Sequence, residues 1–476
     1  MGGSIRVDVT GVEDDARKIK PGDIFVARKG KRTHGRRYIE QALKNGAVAV
    51  AMEEETIESR VPITIPVIWV PSCLKFLSFA SAKFAGFPAE AMTVIAITGT
   101  NGKTTVSHLI GQLLRTLGEQ VAVIGTVGFF INGERQPTLN ENLTTLQAKE
   151  LHPTLKHCVQ KGIKYVVLEA SSIGLSQHRL DDCAIDIGVF LNLSEDHIEE
   201  HGGMEAYKKA KALLGTMADK LVLNGDDAFC RTIAMHTKKQ RVLFGEGNRV
   251  DLQLQLLTEG EGQSTFSVQT TDTVNICTIP LTGAHNRQNA LAAIATLWKL
   301  GYSLEDICAA TAILQLPDGR LEQIPNNEGI FVYVDYAHTA AALTAVLQAV
   351  KRDEGQLLLV FSCGGERDRR KRFEMGAVAC QFADMIFLTT DNPRGENPLD
   401  INEEIIAGFT QTQCYDIILD REKAIEEALL TAERGDVVVI AGKGHEETQI
   451  FSHVTMPFSD RAVVENYFTR KATDGA

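Results

Sequence analysis

Apolar residues recur in two rhythms along this chain, short unbroken runs and stripes spaced three or four apart, and the two alternate over most of its length. Unbroken runs read as buried strands and stripes as amphipathic helices. Near the N-terminus, Gly22-Asp23-Ile24-Phe25-Val26-Ala27 predicts a turn and a strand. A helix over 38–45, ended by Gly46, and a buried strand over 47–51 follow. A second helix over 72–84 runs into Gly86-Phe87-Pro88, a natural boundary. From Met92 the alternation becomes regular. A strand over 94–97 precedes a helical stripe of Val106, Leu109, Ile110, Leu113, Leu114 and Leu117, which Gly118 stops. Further strands are predicted over 121–124, 165–168, 185–191 and 221–223. Between Asp251 and Leu281 the period changes to two (Leu252, Leu254, Leu256, then Phe266 and Val268), the mark of a small antiparallel appendage. A last unit begins near Pro317-Asp318-Gly319, with strands over 357–361, 385–389 and 437–441. Strand–helix alternation of this kind builds mostly parallel sheets covered on both faces. The expectation is an α/β protein of three domains in series, over residues 1–90, 91–314 and 315–476.

Charge narrows the partners. The 476 residues carry 49 Lys and Arg against 61 Asp and Glu, a net charge of −12. Such an acidic surface disfavours nucleic acid and anionic membranes. An anionic ligand then has to be held by local devices, amide cradles or arginine clusters. The nine cysteines lie singly between Cys73 and Cys414 without a Cys-x-x-Cys pair. That argues against a disulfide framework and a zinc site and agrees with a reducing cytoplasm. Residues 1–20 mix acidic with basic side chains, and no run reaches the roughly 18 apolar residues of a membrane span. Neither a signal peptide nor an anchor is expected.

The sharpest local chemistry is Thr98-Gly99-Thr100-Asn101-Gly102-Lys103-Thr104-Thr105, between a buried strand and the start of a helix. Backbone N–H groups in such a loop, added to a helix N-terminus, cradle phosphate oxygens without a basic surface. Lys103 would reach the terminal phosphates, and Thr104 would offer its hydroxyl to Mg²⁺. The spacing is Gly-x-x-Gly-Lys-Thr, with Ile97 where the common pattern has its first glycine. The central domain is therefore expected to be P-loop ATPase-like. Glu169, in Leu168-Glu169-Ala170-Ser171-Ser172, ends a strand of the same sheet, where a carboxylate can hold a metal ion. His197, in Asn192-Leu193-Ser194-Glu195-Asp196-His197, is open to two readings, a metal ligand or a neighbour of a helix cap.

Lys211 stands out by position. A helix over 204–218 carries Met204, Tyr207, Ala210, Leu214 and Met217 on its apolar face, and Lys211 falls on that face. A lysine there must snorkel, pair or be chemically neutralised, and the pattern alone favours snorkelling. In the last domain, the cationic loop from Cys363-Gly364-Gly365 to Arg372 follows a strand and predicts an anion site. Thr390-Asp391-Asn392-Pro393-Arg394 and Gly442-Lys443-Gly444-His445-Glu446 follow two more strands. Glu447 in the sixth position keeps the latter from matching a dinucleotide fingerprint. Loops at the carboxyl ends of parallel strands share one crevice, so the last domain reads as Rossmann-like.

Taken together and in this order, the motifs resemble the Mur ligases, ATP-dependent enzymes that add amino acids to the peptidoglycan precursor, over residues 11–467. The strongest likeness is to members that extend UDP-N-acetylmuramoyl-L-alanyl-D-glutamate with meso-diaminopimelate or lysine. The resemblance implies that Gly99, Thr100, Asn101, Gly102, Lys103, Thr104 and Thr105 hold ATP. Asn286 and Asn289 then lie on its adenine side, and Arg320, Asp335 and His338 close over it. Thr104, Glu169, His197 and a Lys211 carbamylated by CO₂ would hold two Mg²⁺ ions, the carbamate turning an ammonium into a carboxylate. Lys103, Lys211, His197 and Glu169 form the implied catalytic set. Asp15, Arg17, Thr144, Thr145, Ser171, Gln177 and Arg179 would bind the UDP-sugar peptide. Arg367, Asp391, Asn392, Arg394, Gly442 and Glu446 would bind the diamino acid. The three domains would accordingly bind the UDP-sugar, ATP and the amino acid.

Arg394 bears on the choice of amine. Diaminopimelate presents a second carboxylate that a guanidinium clamps bidentately. Lysine ends there in an ammonium, which an arginine repels. Glu446 would receive the distal ammonium. The implied reaction is amide formation through an acyl phosphate, by a cytoplasmic monomer with no nucleic-acid or membrane partner. At Ala16, Arg28, Leu146, Ile173, Ala340 and Glu366 the chain differs from the family's usual residues. Other readings stay open: a divergent relative adding L-lysine or another amine, a folylpolyglutamate-synthetase-like or specialised-metabolite amide ligase, and a non-catalytic ATP-binding partner subunit.

Overall fold

The structure, a computed structural model, describes residues 7–30, 33–53, 64–137, 143–195, 198–260, 262–352, 354–409, 414–452 and 454–474. His197 lies outside them. The N-terminal sheet is parallel, in the order β1 (Gly11–Glu13), β2 (Asp23–Val26), β3 (Ala49–Met52) and β4 (Val67–Trp69). The helix Cys73–Ala85 follows it, its start capped by Ser72 and its end by Gly86 in the left-handed conformation. That helix packs on the helix Ala148–Gln160 of the central unit.

The central sheet has eleven strands. They are β5 (Thr93–Thr98), β6 (Val121–Gly125), β7 (Gly128–Ile131), β8 (Glu134–Gln136), β9 (Tyr165–Glu169) and β10 (Ile185–Phe190), then β11 (Lys220–Asn224), β12 (Gln240–Gly245), β13 (Leu252–Gly260), β14 (Gln263–Gln269) and β15 (Val274–Ile279). Their spatial order is β15-β14-β13-β12-β11-β10-β5-β9-β6-β7-β8, parallel from β13 to β6 and antiparallel at both ends. The period-two stretch is antiparallel, as its pattern predicts, and β13 bonds it into the main sheet through β12. Successive residues of β5 feed opposite faces, the geometry of a strand buried on both sides. Ile95 and Ile97 pack with Leu109, Leu113 and Leu291, whereas Val94 and Ala96 pack with Leu155 and Leu214.

The C-terminal sheet has the order β16-β17-β21-β18-β19-β20. Its strands are β16 (Glu322–Ile324), β17 (Phe331–Asp335), β18 (Leu357–Phe361), β19 (Met385–Leu388), β20 (Cys414–Ile417) and β21 (Val437–Ala441), all parallel except the edge strand β16. A two-stranded ribbon, β22 (Thr448–Phe451) and β23 (Val454–Pro457), lies beside it. Among the described residues no helix is long and apolar enough to cross a membrane.

One expectation about cysteine needs correcting. Cys277 and Cys308 form a disulfide, their Cα atoms 4.8 Å apart, because the helix Leu304–Ala310 packs on β15. A separation of 31 residues hid this pair from the spacing analysis.

His152, in the helix Ala148–Gln160, is fully buried, and neither ring nitrogen has a hydrogen-bond partner. Burial pushes its pKa down to about 4, with Asp182 opposing weakly. The unfolded chain takes up this proton near pH 6.5 and the folded chain only near 4. Between those values the unfolded state binds more protons, so stability is complete above pH 6.5 and is lost as the pH falls. His152 alone then costs about 3 kcal/mol across that window. Denaturant midpoints at pH 6.5 and 4.5 should converge in His152→Leu relative to the parent; an unchanged difference would remove His152 as the cause.

Candidate active site

β10, β5, β9 and β6 lie side by side, so the loops at their carboxyl ends meet on one edge of the central sheet. The loop after β5 opens the helix Lys103–Thr116 at Gly102, whose φ is 87°. A Cβ at Gly102 would come within 2.5 Å of Asn289 Oδ1, so only glycine permits both the turn and the approach. Asn192, beyond β10, pins the loop by accepting from Asn101 N at 2.9 Å and donating to Asn101 O at 3.1 Å. Thr100 Oγ1 lies 3.1 Å from the Tyr207 hydroxyl and donates to Ser194 O, also at 3.1 Å. Lys103 Nζ folds over the loop and donates to the carbonyls of Gly99 at 2.9 Å and Thr100 at 3.0 Å.

Glu169, at the end of β9, is 1% exposed. Its carboxylate accepts from Thr104 Oγ1 at 3.1 Å, from Thr126 Oγ1 at 3.0 Å and from Thr126 N at 2.8 Å. A buried carboxylate requires such donors. The Thr104 hydroxyl and the Glu169 carboxylate are hard oxygen donors of the kind Mg²⁺ takes, and they fit that ion. Among the described residues no group of three or more His, Cys, Asp or Glu side chains gathers into a cation site.

Lys211 does not snorkel. It is 2% exposed, its Nζ donates to Gly99 O at 2.7 Å, and that Nζ lies 4.7 Å from the centre of the Tyr207 ring. The helix Met204–Met217 packs against β5 and β10, so its buried face ends at the phosphate-type loop rather than at the surface. The Gly99 carbonyl thus accepts from two ammonium groups, Lys103 and Lys211.

A second wall comes from the C-terminal sheet. Arg320 donates to Thr104 Oγ1 at 3.2 Å, and its guanidinium lies 4.6 Å from the centre of the Tyr336 ring. Asp335, at the end of β17, is buried, and burial pushes its carboxyl above the usual range. It accepts from Leu321 N and Ala337 N, both at 2.6 Å, and so braces the turns that present Arg320 and Tyr336. The His338 ring meets Tyr336 edge-on at 4.8 Å. Arg394 donates to Gly365 O at 2.7 Å, while its backbone N bonds to Ile450 O of the ribbon at 3.0 Å. Burial, and then Arg367, hold its guanidinium below the usual value. Arg367 reaches back to the helix Ile198–His201 and pairs with Glu200 at 2.8 Å. Between the walls lies a cavity of about 680 Å³, lined by Lys103, Thr104 and Glu169 on one side and by Arg320, Arg394 and Glu446 on the other.

Thr145 joins this cavity to the residues expected at the peptide. Its hydroxyl donates to Glu169 O at 2.8 Å and lies 3.0 Å from Ser171 Oγ. Arg179 donates to Thr145 O at 2.6 Å and to Gln177 Oε1 at 2.7 Å. The Thr144 hydroxyl lies 3.1 Å from Thr126 Oγ1, to which it donates, since the single Thr126 hydroxyl proton goes to the Glu169 carboxylate. Asp15 and Arg17 sit elsewhere, paired with each other at 2.8 Å in a second cavity of about 710 Å³ that Arg28 and Lys149 also line. There Asp14 accepts from Arg28 at 2.5 Å and Lys149 at 2.6 Å. Burial raises the Asp14 pKa, but those two cations outweigh it and hold the carboxyl below the usual range.

The six residues expected at the diamino acid line this cavity together with Thr100 to Thr104, Arg320 and His338 of those expected at ATP, whereas Gly99, Thr105, Asn286, Asn289 and Asp335 do not line it. Asn286 is buried and donates to Thr282 O at 2.9 Å at the start of the helix Ala284–Leu300, while Asn289 meets Gly102. Asp391 and Gly442 line the cavity with Asn392. Thr126 and Tyr207 were missed as clamps of the Glu169 carboxylate and the phosphate-type loop. Thr126 carried a signal, since it directly follows a predicted strand and Gly125 on the edge where the other loops gather.

Comparison with known proteins gives a consistent answer along the chain. Residues 8–85, 97–297 and 319–444 match the family models described as "Mur ligase family, catalytic domain", "Mur ligase middle domain" and "Mur ligase, glutamate ligase domain". The chain is 37% identical over 466 residues to a UDP-N-acetylmuramoyl-L-alanyl-D-glutamate--2,6-diaminopimelate ligase of Caldanaerobacter subterraneus, covering 97% of this chain and 95% of that protein. It is 38% identical over 467 residues to the Chromobacterium violaceum protein of the same name, covering 96% and 94%. A solved structure of a ligase of that name superposes with a TM-score of 0.68 at 33% identity, covering 98% and 95% of the two chains. The MurF ligase of Thermotoga maritima, solved with ADP, shares the fold at a TM-score of 0.64 and 21% identity, covering 98% of each chain.

Proposed function

The chain belongs to the Mur ligase family, and from that membership we propose that it joins meso-diaminopimelate to the D-glutamyl residue of UDP-N-acetylmuramoyl-L-alanyl-D-glutamate while ATP is converted to ADP and phosphate. It is an ATP-dependent acid–amino-acid ligase. The observation that carries the substrate reading is the single cavity in which the Lys103–Thr104–Glu169 wall faces the Arg320–Arg394–Glu446 wall. One side suits a nucleoside triphosphate, and the other suits a ligand end bearing both an ammonium and a carboxylate.

In this reading the D-glutamyl carboxylate attacks the γ-phosphoryl group, the β,γ P–O bond breaks to release ADP, and an acyl phosphate forms. The unprotonated amine then attacks the acyl carbon, and inorganic phosphate leaves with the carboxylate oxygen. Thr104 and Glu169 would hold Mg²⁺, which would supply charge neutralisation on the phosphates. The chain's own groups do the positioning: Lys103 and the loop amides hold the phosphates, Arg320 closes on Thr104 from the other wall, and Thr126 orients Glu169. Positioning and preorganised charge supply most of the acceleration. The UDP-sugar end is assigned to the Asp15–Arg17 cavity.

A carbamate at Lys211 belongs to the same proposal. The neutral amine adds to CO₂, forming an N–C bond and releasing one proton, so a buried cation becomes a buried oxygen ligand. Two ammonium groups on the Gly99 carbonyl repel each other, and carbamylation removes that repulsion. The proposed enzyme works as a cytoplasmic monomer.

Phosphate release with the UDP-linked dipeptide should be fastest with meso-diaminopimelate and much slower with L-lysine or L-ornithine. Equal turnover with lysine, or turnover with a folate instead of the UDP-dipeptide, contradicts the assignment. Arg394→Ala should lower kcat/KM for diaminopimelate by about 10²-fold and leave that for lysine nearly unchanged, the size expected when a charge-paired carboxylate loses its guanidinium. Unchanged kinetics with both amines would remove Arg394 from the pocket.

A further inference from the structure

We propose that Lys443 is a positioning residue for the diamino acid: its buried ammonium fixes the Asn392 amide and the Glu446 carboxylate in the one arrangement that receives an ammonium beside a carboxylate. This deepens the diaminopimelate reading and rests on it. Lys443 follows β21 and Gly442, whose φ is 111°. A Cβ at Gly442 would come within 2.7 Å of Asp391 Oδ2, so the chain turns inward where most side chains would obstruct it. Lys443 itself is 0% exposed.

The hydrogen bonds decide the orientation of the amide. Lys443 Nζ lies 3.2 Å from one terminal atom of Asn392, and Ile450 N lies 2.9 Å from the same atom. An ammonium and a backbone N–H can only donate, so that atom is the oxygen Oδ1. Asn392 Nδ2 is then committed to donate to Glu446 Oε2 at 2.8 Å. Lys443 Nζ donates to the same Oε2 at 2.9 Å. Oε2 is thereby held by two donors within the wall, and the other oxygen of a carboxylate that lines the cavity is left for a ligand ammonium. Arg394, on the loop that also carries Asn392, offers its guanidinium to the carboxylate of the same ligand end.

Without the Lys443 charge, the Asn392 amide keeps only Ile450 N to define its oxygen side, and the Glu446 carboxylate loses its ammonium. Both changes degrade recognition of the amine and leave the ATP wall untouched. In the full-length enzyme, Lys443→Met should raise KM for meso-diaminopimelate at least about tenfold while KM for ATP stays within about twofold. Glu446→Gln should cost less in the Lys443→Met background than in the parent, because the pair acts as a unit. Lys443→Gln, which keeps a donor but drops the charge, should fall between parent and Lys443→Met, and it serves as the test variant if Lys443→Met does not fold. An unchanged KM for the diamino acid, or equal rises in both KM values at an unchanged melting temperature, overturns the proposal. Absence of wild-type turnover with any diamino acid defeats the substrate reading itself. Wild-type turnover with an insensitive Lys443 variant defeats only this role.

Discussion

Lys103→Ala is expected to lose ATP-dependent turnover, with ADP release falling at least about 10³-fold, or ~4 kcal/mol of transition-state stabilisation. Phosphoryl transfer gives a protein little covalent chemistry to perform, so a cation on the terminal phosphates does much of the work. No neighbouring side chain replaces it from the same position. Arg320 approaches Thr104 from the opposite wall, and Lys211 is buried behind the loop on the Gly99 carbonyl. Removing Lys103 also strips a donor from two carbonyls, but that of Gly99 keeps Lys211 and Thr100 lines the cavity. Folding should therefore survive, and the melting temperature checks this independently. Wild-type-like ADP release from folded Lys103→Ala would refute the phosphate assignment.

The second large effect is at Lys211. Lys211→Ala should fall by at least about 10² in turnover and recover partly in acetate or another short carboxylate, which supplies the missing oxygen ligand. Lys211→Arg should stay inactive, because a guanidinium keeps the positive charge and does not form the carbamate. A ¹³CO₂-equilibrated sample of the parent should show a carbamate carbon that Lys211→Ala lacks. A fully active Lys211→Arg variant would show that the lysine acts as a cation and would end the carbamate reading.

How far the site could be read from the sequence depended on how local its chemistry is. The strand, glycine loop and helix around Lys103 lie within one short segment, so residue order alone predicts the loop, and the helix begins at Lys103. The stripe of the helix Met204–Met217 was equally legible, and it correctly put Lys211 on the buried face with Tyr207 and Leu214. Its destination was not legible. Snorkelling is the usual fate of such a lysine, and only the packing of this helix on β5 and β10 carries Nζ to the Gly99 carbonyl. The same limit hid Thr100 bonding to Tyr207 and Thr126 bonding to Glu169, which join residues far apart in the chain. Short or exposed strands carry too little pattern to detect. β8 is three polar residues, and every residue of β20 is exposed, so no buried face marks either strand. In the C-terminal domain the loops were legible because each follows an unbroken apolar strand. Lys443 falls in a polar loop after a strand, and its burial follows only from its contacts with Asn392 and Glu446.

The most direct measurement follows one oxygen atom. UDP-linked dipeptide labelled with ¹⁸O in the D-glutamyl carboxylate is turned over with ATP and meso-diaminopimelate, and the released phosphate is analysed by mass. Activation of that carboxylate through an acyl phosphate delivers one labelled oxygen to each phosphate at the labelled position. Phosphate released without label, while amide product accumulates, would contradict the account.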